Sequence, residues 1–204
     1  MMKLTLSPTS PYVRKARAVI IERGLGDRVE LVPTDPWNDA DPLPKTNPLG
    51  RVPALVGEDG EVYAGSSLVV EYLDSLEGGR RLYPAEGSER FRALRLYALA
   101  EGILDSSINC VIELLRRPED KRWTGWVARQ HEKIRRTLDV LEPLVPGLAA
   151  EPTIGEINLA CALGYLDLRL PDLEWRKGRP ALAAWYEEVA KRPSLAETVP
   201  PKPA

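Results

Sequence analysis

Short β-rich runs punctuate the first third of the chain, and broad helical stripes fill the rest. Lys3 to Leu6 reads as a strand, closed by the punctuation Ser7-Pro8-Thr9-Ser10-Pro11. Val13, Ala16, Val19 and Ile20 then recur at helical spacing, and Gly24 supplies a stop signal. Val29 to Val32 predicts a second strand, and Pro33 to Pro48 a proline-rich loop with room for one irregular helical turn. Val52 to Val56 and Glu61 to Tyr63 bracket Glu58-Asp59-Gly60, which is a hairpin signal. Leu68, Val69, Tyr72, Leu73 and Leu76 line one face of a further helix. The order β-α-β-α-β-β-α is that of a small α/β domain with a mixed sheet.

Glu77-Gly78-Gly79-Arg80-Arg81-Leu82-Tyr83-Pro84 reads as a linker, and after it every signal is helical. No proline lies between Pro84 and Pro118 or between Pro118 and Pro143, so long helices can run there. Ser88 through Leu115 and Trp126 through Leu141 fill those gaps. Thr153-Ile154-Gly155-Glu156 is a capping box opening a third helix, with Ile157, Ala160, Cys161 and Gly164 facing inward. Pro180 starts a fourth, which carries Leu182, Trp185 and Val189. The expected organisation is an α/β domain over residues 1–77 and an all-helical domain over residues 88–204.

Composition narrows the function. Lys plus Arg total 28 against 30 Asp plus Glu, which speaks against a phosphate-tracking nucleic-acid binder. No apolar run is long enough to span a bilayer, and the N-terminus lacks a signal-peptide pattern. Cys110, Cys161 and the single His131 make neither a disulfide framework nor a metal cluster. The expectation is a cytoplasmic, metal-free protein. The cysteines read as small core residues, His131 as a solvated helix residue, and Glu101 and Asp105 as surface or interface charges one turn apart.

Three junctions of the first domain could carry chemistry. Ser10 precedes Pro11, where the first helix begins; it can cap that helix or donate to a bound thiolate or oxyanion, with Thr9 as an alternative donor. In Asn47-Pro48-Leu49-Gly50-Arg51-Val52-Pro53, a proline opens a strand. Either it lies on an edge in the trans form, or a cis bond turns the Val52 backbone outward towards a peptide-like ligand. In Gly65-Ser66-Ser67, a serine can cap the next helix, or the free N–H groups there can take a carboxylate.

In this order and spacing the motifs resemble the cytosolic glutathione S-transferases, over essentially the whole chain. Ser7 to Lys15 is similar to the serine-type active-site segment of bacterial members and to the plant tau class. Asn47-Pro48 through Val52-Pro53 resembles the loop before the family's cis-proline, and Ser66 with Tyr72-Leu73 its third helix. The Thr153 capping box resembles the family's helical-domain motif, with Glu156 where Asp is usual. The resemblance implies a thioredoxin-like N-terminal domain, a helical C-terminal domain, a homodimer, and glutathione as co-substrate. By position, Ser10 would meet the glutathione sulfur and Val52, beside Pro53, would pair with its cysteinyl backbone. Arg51 would take the glycyl carboxylate, Ser66 the γ-glutamyl carboxylate, and Tyr12, Asn109 and Tyr165 would line an electrophile site.

One position departs from the pattern. Gly65 stands where the family has an acid that receives the γ-glutamyl ammonium. Glu101 and Asp105 are then the acids expected to reach the ligand of a neighbouring subunit. The function implied is conjugation of glutathione to small hydrophobic electrophiles, with glutathione-dependent peroxidase activity beside it. The alternative is a non-catalytic module that keeps the fold. A reductase or dehalogenase relative would use Cys where Ser10 stands, and the first cysteine here is Cys110.

Overall fold

In the computed structural model, which describes residues 1–201, the first β-rich run becomes β1 (Met2–Leu6), the hub of a sheet ordered β2-β1-β3-β4. β2 (Val29–Pro33) pairs parallel to β1, with Met2 opposite Val29 and Leu6 opposite Pro33. β3 (Ala54–Val56) runs antiparallel to β1 with Leu4 opposite Leu55, and β4 (Val62–Ala64) closes the hairpin with Ala54 opposite Ala64. Alternation along β1 decides its faces: Met2 and Leu4 are fully buried while Lys3 is exposed. α1 (Pro11–Glu22) buries Val13, Ala16 and Val19, and packs against α3 (Ser66–Ser75), which buries Val69, Val70 and Leu73. The irregular turn expected in the proline-rich loop is α2 (Leu43–Thr46).

The Gly-rich stretch after α3 is tied to the end of α1 rather than hanging between elements. Arg23 and Asp74 form an ion pair at 3.5 Å with both side chains almost wholly buried. The Arg23 guanidinium also donates to the carbonyls of Leu76 and Gly79. The Asp74 carboxylate accepts from the backbone N–H groups of Leu82 at 2.7 Å and Tyr83 at 3.2 Å. These bonds convert a loose sequence pattern into a fixed exit from the sheet.

The helical unit spans Glu86–Arg192 and contains α4 (Gly87–Val111), α5 (Thr124–Leu141), α6 (Ile154–Arg169) and α7 (Pro180–Val189). α6 is its core, buried from Ile154 to Leu163 and packed on α4. A Cβ on Gly155 would lie 2.6 Å from the Ala93 carbonyl oxygen, so the close crossing of α4 and α6 requires glycine there. The capping box forms: Glu156 accepts from the Thr153 N–H at 2.9 Å while the Thr153 hydroxyl accepts from the Gly155 N–H at 3.2 Å. The long helix expected to reach Leu115 instead changes to a wider π turn over Ile112–Arg116. Within it Glu113 is buried, accepting from Arg117 Nε at 3.0 Å and the Trp123 N–H at 2.6 Å.

The first unit comprises Met1–Ala85 together with residues 193–201. The sequence pattern assigns residues 88–204 to the helical domain, of which 202–204 lie outside the described residues; residues 193–201 group with the first unit. The segment returns to α1 at α8 (Pro193–Ala196), which buries Ser194 and Leu195. Local pattern could not show this, because the attraction lies between residues some 180 positions apart, as in Arg14 donating to Leu195 (|i−j| = 181).

Candidate functional site

Strand directions decide which loops meet. β1 and β4 end, and β3 begins, at the same end of the sheet, since β3 is antiparallel to both. Ser7–Ser10, Arg51–Pro53 and Gly65–Ser66 therefore sit side by side. A direct bond ties two of them, the Gly65 N–H donating to the Pro53 carbonyl at 3.3 Å. None of residues 7–10, 47–53 or 64–70 is acidic, so these three segments bring together two helix N-termini and Arg51 and carry no carboxylate of their own. Such a surface favours anions.

Ser10 is the N-cap of α1, its Oγ accepting from the Val13 N–H at 3.3 Å. The capping and donating roles turn out to be compatible. The cap uses a lone pair, whereas a thiolate or oxyanion needs the O–H proton. No described residue accepts that proton. Accepting the Val13 N–H also polarises the hydroxyl and strengthens it as a donor. Ser10 and Thr9 are both partly exposed, and Tyr12 lies in the first turn with Lys15 Nζ 5.8 Å from its ring centre.

The Val52–Pro53 peptide is cis. Pro53 is buried, and the Val52 N–H and C=O find no partner among the described residues. Thr5 makes this possible. Its Oγ1 accepts from the Ala54 N–H at 2.8 Å and donates to the Ala54 carbonyl at 3.3 Å, doing with a side chain what the β1–β3 ladder would do. Asn47, 1% exposed, builds the loop from inside: its Nδ2 donates to the Arg51 carbonyl at 2.7 Å and its Oδ1 accepts from the Leu49 N–H at 3.0 Å. In the sequence Asn47 stands out only as part of a motif. Its role as the loop's internal strut was signalled only by an Asn opening a Pro- and Gly-bearing turn.

Gly65 is the N-cap of α3 with φ +95°, and no side chain caps that helix. A Cβ at 65 would meet nothing within 4 Å, so space does not exclude an acid there; the backbone angle favours glycine. Ser66 follows, 8% exposed, at the first helical position. Arg51 is exposed.

In the helical unit, Glu101, Asp105 and Asn109 form one stripe of α4, four residues apart. Asn109 Nδ2 donates to the Asp105 carbonyl at 2.8 Å. Glu101 has a partner within its own chain: buried Asn158 of α6 donates to it and to the Tyr97 carbonyl, each at 3.0 Å. Asp105 is exposed. Tyr165 is 3% exposed, and burial pushes its hydroxyl up to about 12. Cys110 and Cys161 are buried, and burial raises the Cys110 thiol to about 11, which makes it unreactive. His131 is half-buried rather than solvated, and burial, then Arg135, hold its imidazole below the ordinary value.

A mixed four-stranded sheet with flanking helices, followed by a helical domain, is the glutathione transferase fold, its first domain thioredoxin-like. Residues 9–76 match the glutathione S-transferase N-terminal domain and residues 124–188 the C-terminal domain. The Escherichia coli (strain K12) protein called uncharacterized GST-like protein YibF is 38% identical, across 98% of this chain and 100% of its own. Glutathione S-transferase 3 of Zea mays is 30% identical, across 100% of this chain and 97% of its own. A glutathione transferase family member from Pseudomonas fluorescens Pf-5, solved with bound glutathione, superposes with a TM-score of 0.94. It is 44% identical, and the match covers 98% of this chain and 100% of that one. The chain belongs to the glutathione S-transferase family.

Proposed function

We propose that this chain is a serine-type glutathione transferase that adds the glutathione thiolate to small hydrophobic electrophiles. The observation that carries the reading is Ser10, a cap whose O–H proton stays available at the N-terminus of α1. In this reading the hydroxyl donates to the glutathione sulfur. That favours the thiolate, because hydrogen bonds to an ionised partner are about twice as strong as neutral ones. The sulfur lone pair then forms the new S–C bond, and the leaving group departs with its electron pair. The unpaired Val52 N–H and C=O receive the cysteinyl backbone, Arg51 the glycyl carboxylate, and the α3 N-terminus at Ser66 the γ-glutamyl carboxylate. Tyr12, Asn109 and Tyr165 serve the electrophile, and the working form is a cytoplasmic homodimer with a detoxifying role. Peroxide reduction by glutathione would use the same thiolate.

Gly65 supports a second reading, a module that binds without turnover, since it removes the acid that receives the ligand's ammonium. A thermal shift with glutathione followed by an assay with a generic aryl halide separates the two. Stabilisation with turnover supports the transferase; stabilisation without turnover across a broad electrophile panel supports the module.

An ammonium left without a partner is costly in a partly buried site. We assign it to the Glu101–Asp105 stripe of the neighbouring subunit. Asp105→Asn is expected to weaken glutathione binding by roughly tenfold, the value of one charged hydrogen bond. Glu101→Gln, which keeps an oxygen for Asn158, isolates the charge of the second acid. Calorimetric affinities measured beside the dimer dissociation constant check this. Unchanged affinity in both variants with an intact dimer would contradict it.

A further inference from the structure

Arg14, Arg17 and Glu22 follow one another along α1, and each holds a residue of the C-terminal segment. The Arg14 guanidinium donates to the Leu195 carbonyl at 3.1 Å, and Arg17 donates to the Glu197 carbonyl at 3.4 Å. The Ser194 hydroxyl donates to the Glu22 carboxylate. Inside the segment, the Thr198 hydroxyl donates to the Ser194 carbonyl at 2.7 Å and leans towards Leu195 O at 3.4 Å. Ser194, Leu195 and Thr198 are all buried, so this is a packed element rather than a trailing end.

Arg14 links that element to the site. It is 4% exposed, its Nε is buried without a partner, and Leu195 O is the acceptor its side chain finds among the described residues. A buried guanidinium held so sparingly makes the geometry of that acceptor consequential. The N–H of the same residue donates to the Ser10 carbonyl at 3.0 Å, closing the first turn of α1. The cap bond of that turn is long, 3.3 Å, so the turn is not held firmly by its own cap.

We infer that Pro193–Thr198 is a strap that sets the position of the first turn of α1, with Arg14 and Thr198 as positioning residues for the Ser10 hydroxyl. This rests on reading Ser10 as the group that meets the thiol. A displacement of about 1 Å at a reacting group can cost roughly a hundredfold in rate, so a loosened strap acts on turnover before it acts on binding.

The test is Thr198→Val, which keeps the shape and removes the hydroxyl, beside Thr198→Ser, which restores it. Turnover and KM for glutathione are measured with an aryl halide, together with amide exchange at Val13 and Arg14. Thr198→Val is expected to lower kcat about tenfold with KM changed less than about twofold, and to speed exchange at both amides. Thr198→Ser should return both readouts to wild type. Arg14→Lys, which keeps the charge and loses the fork, should act in the same direction and serves if Thr198→Val does not fold. A fall in melting temperature with kcat and exchange unchanged would mean the segment only adds stability, and overturns the inference. Faster exchange with unchanged kcat overturns the positioning role. Ser10→Ala run in parallel keeps the readings apart. If it turns over at the wild-type rate, the Ser10 reading has failed, while unchanged exchange in Thr198→Val and Arg14→Lys separately overturns the strap.

Discussion

Ser10→Ala is expected to cut turnover by roughly ten- to a thousandfold while leaving glutathione affinity close to wild type, the range for removing one stabilising donor. The asymmetry follows from the role proposed for the hydroxyl. It strengthens with the charge on sulfur, so it contributes more to the thiolate and the transition state than to the bound thiol. In the proposed reading binding rests mainly on the Val52 backbone, Arg51 and the α3 N-terminus, none of which the substitution touches. Alanine also removes the cap on Val13, at a cost of about 1 kcal/mol to the helix, so a melting curve belongs beside the kinetics. Wild-type turnover in the variant would shift the role to Thr9 or Tyr12.

Asp74→Ala is expected to destabilise the first unit by about 3–5 kcal/mol, the cost of removing one partner of a buried ion pair. Arg23 would keep its carbonyl acceptors but lose its counter-charge, and the N–H groups of Leu82 and Tyr83 would lose their acceptor. For a chain of this length that is a fall of roughly 10 °C in the midpoint. Calorimetric unfolding checks it. The double variant Arg23→Met/Asp74→Leu should recover much of the loss, since a matched apolar pair leaves no buried charge behind. A double variant no more stable than Asp74→Ala would show that the bonds to Leu76, Gly79, Leu82 and Tyr83 dominate instead.

Elements set by local periodicity were legible before any coordinates. Val13, Ala16 and Val19 announce α1, and the Thr153–Glu156 box opens α6 where its spacing indicates. The three loop segments could be found by their punctuation, and strand direction then puts them at one end of the sheet. Features that depend on distant residues were not legible. The return of Leu195 to Arg14 and the ion pair of Arg23 with Asp74 leave no periodic trace. Neither does the use of Thr5 as a substitute for the β1–β3 ladder. Glu101 read as a surface or interface charge because its partner, Asn158, lies on another helix. The compatibility of capping and donating at Ser10 needed a hydrogen-bond direction, which sequence does not carry.

The central claim is that the Ser10 hydroxyl lowers the pKa of a bound glutathione thiol. It is tested most directly by following the thiolate's ultraviolet absorbance as enzyme-bound glutathione is titrated with pH. A free thiol titrates near 8.5. In the wild-type protein the bound thiol should ionise at least about one pH unit lower, and in Ser10→Ala it should return towards the free value. A bound thiol that titrates with the free one, or a depressed value that survives in Ser10→Ala, would contradict the account.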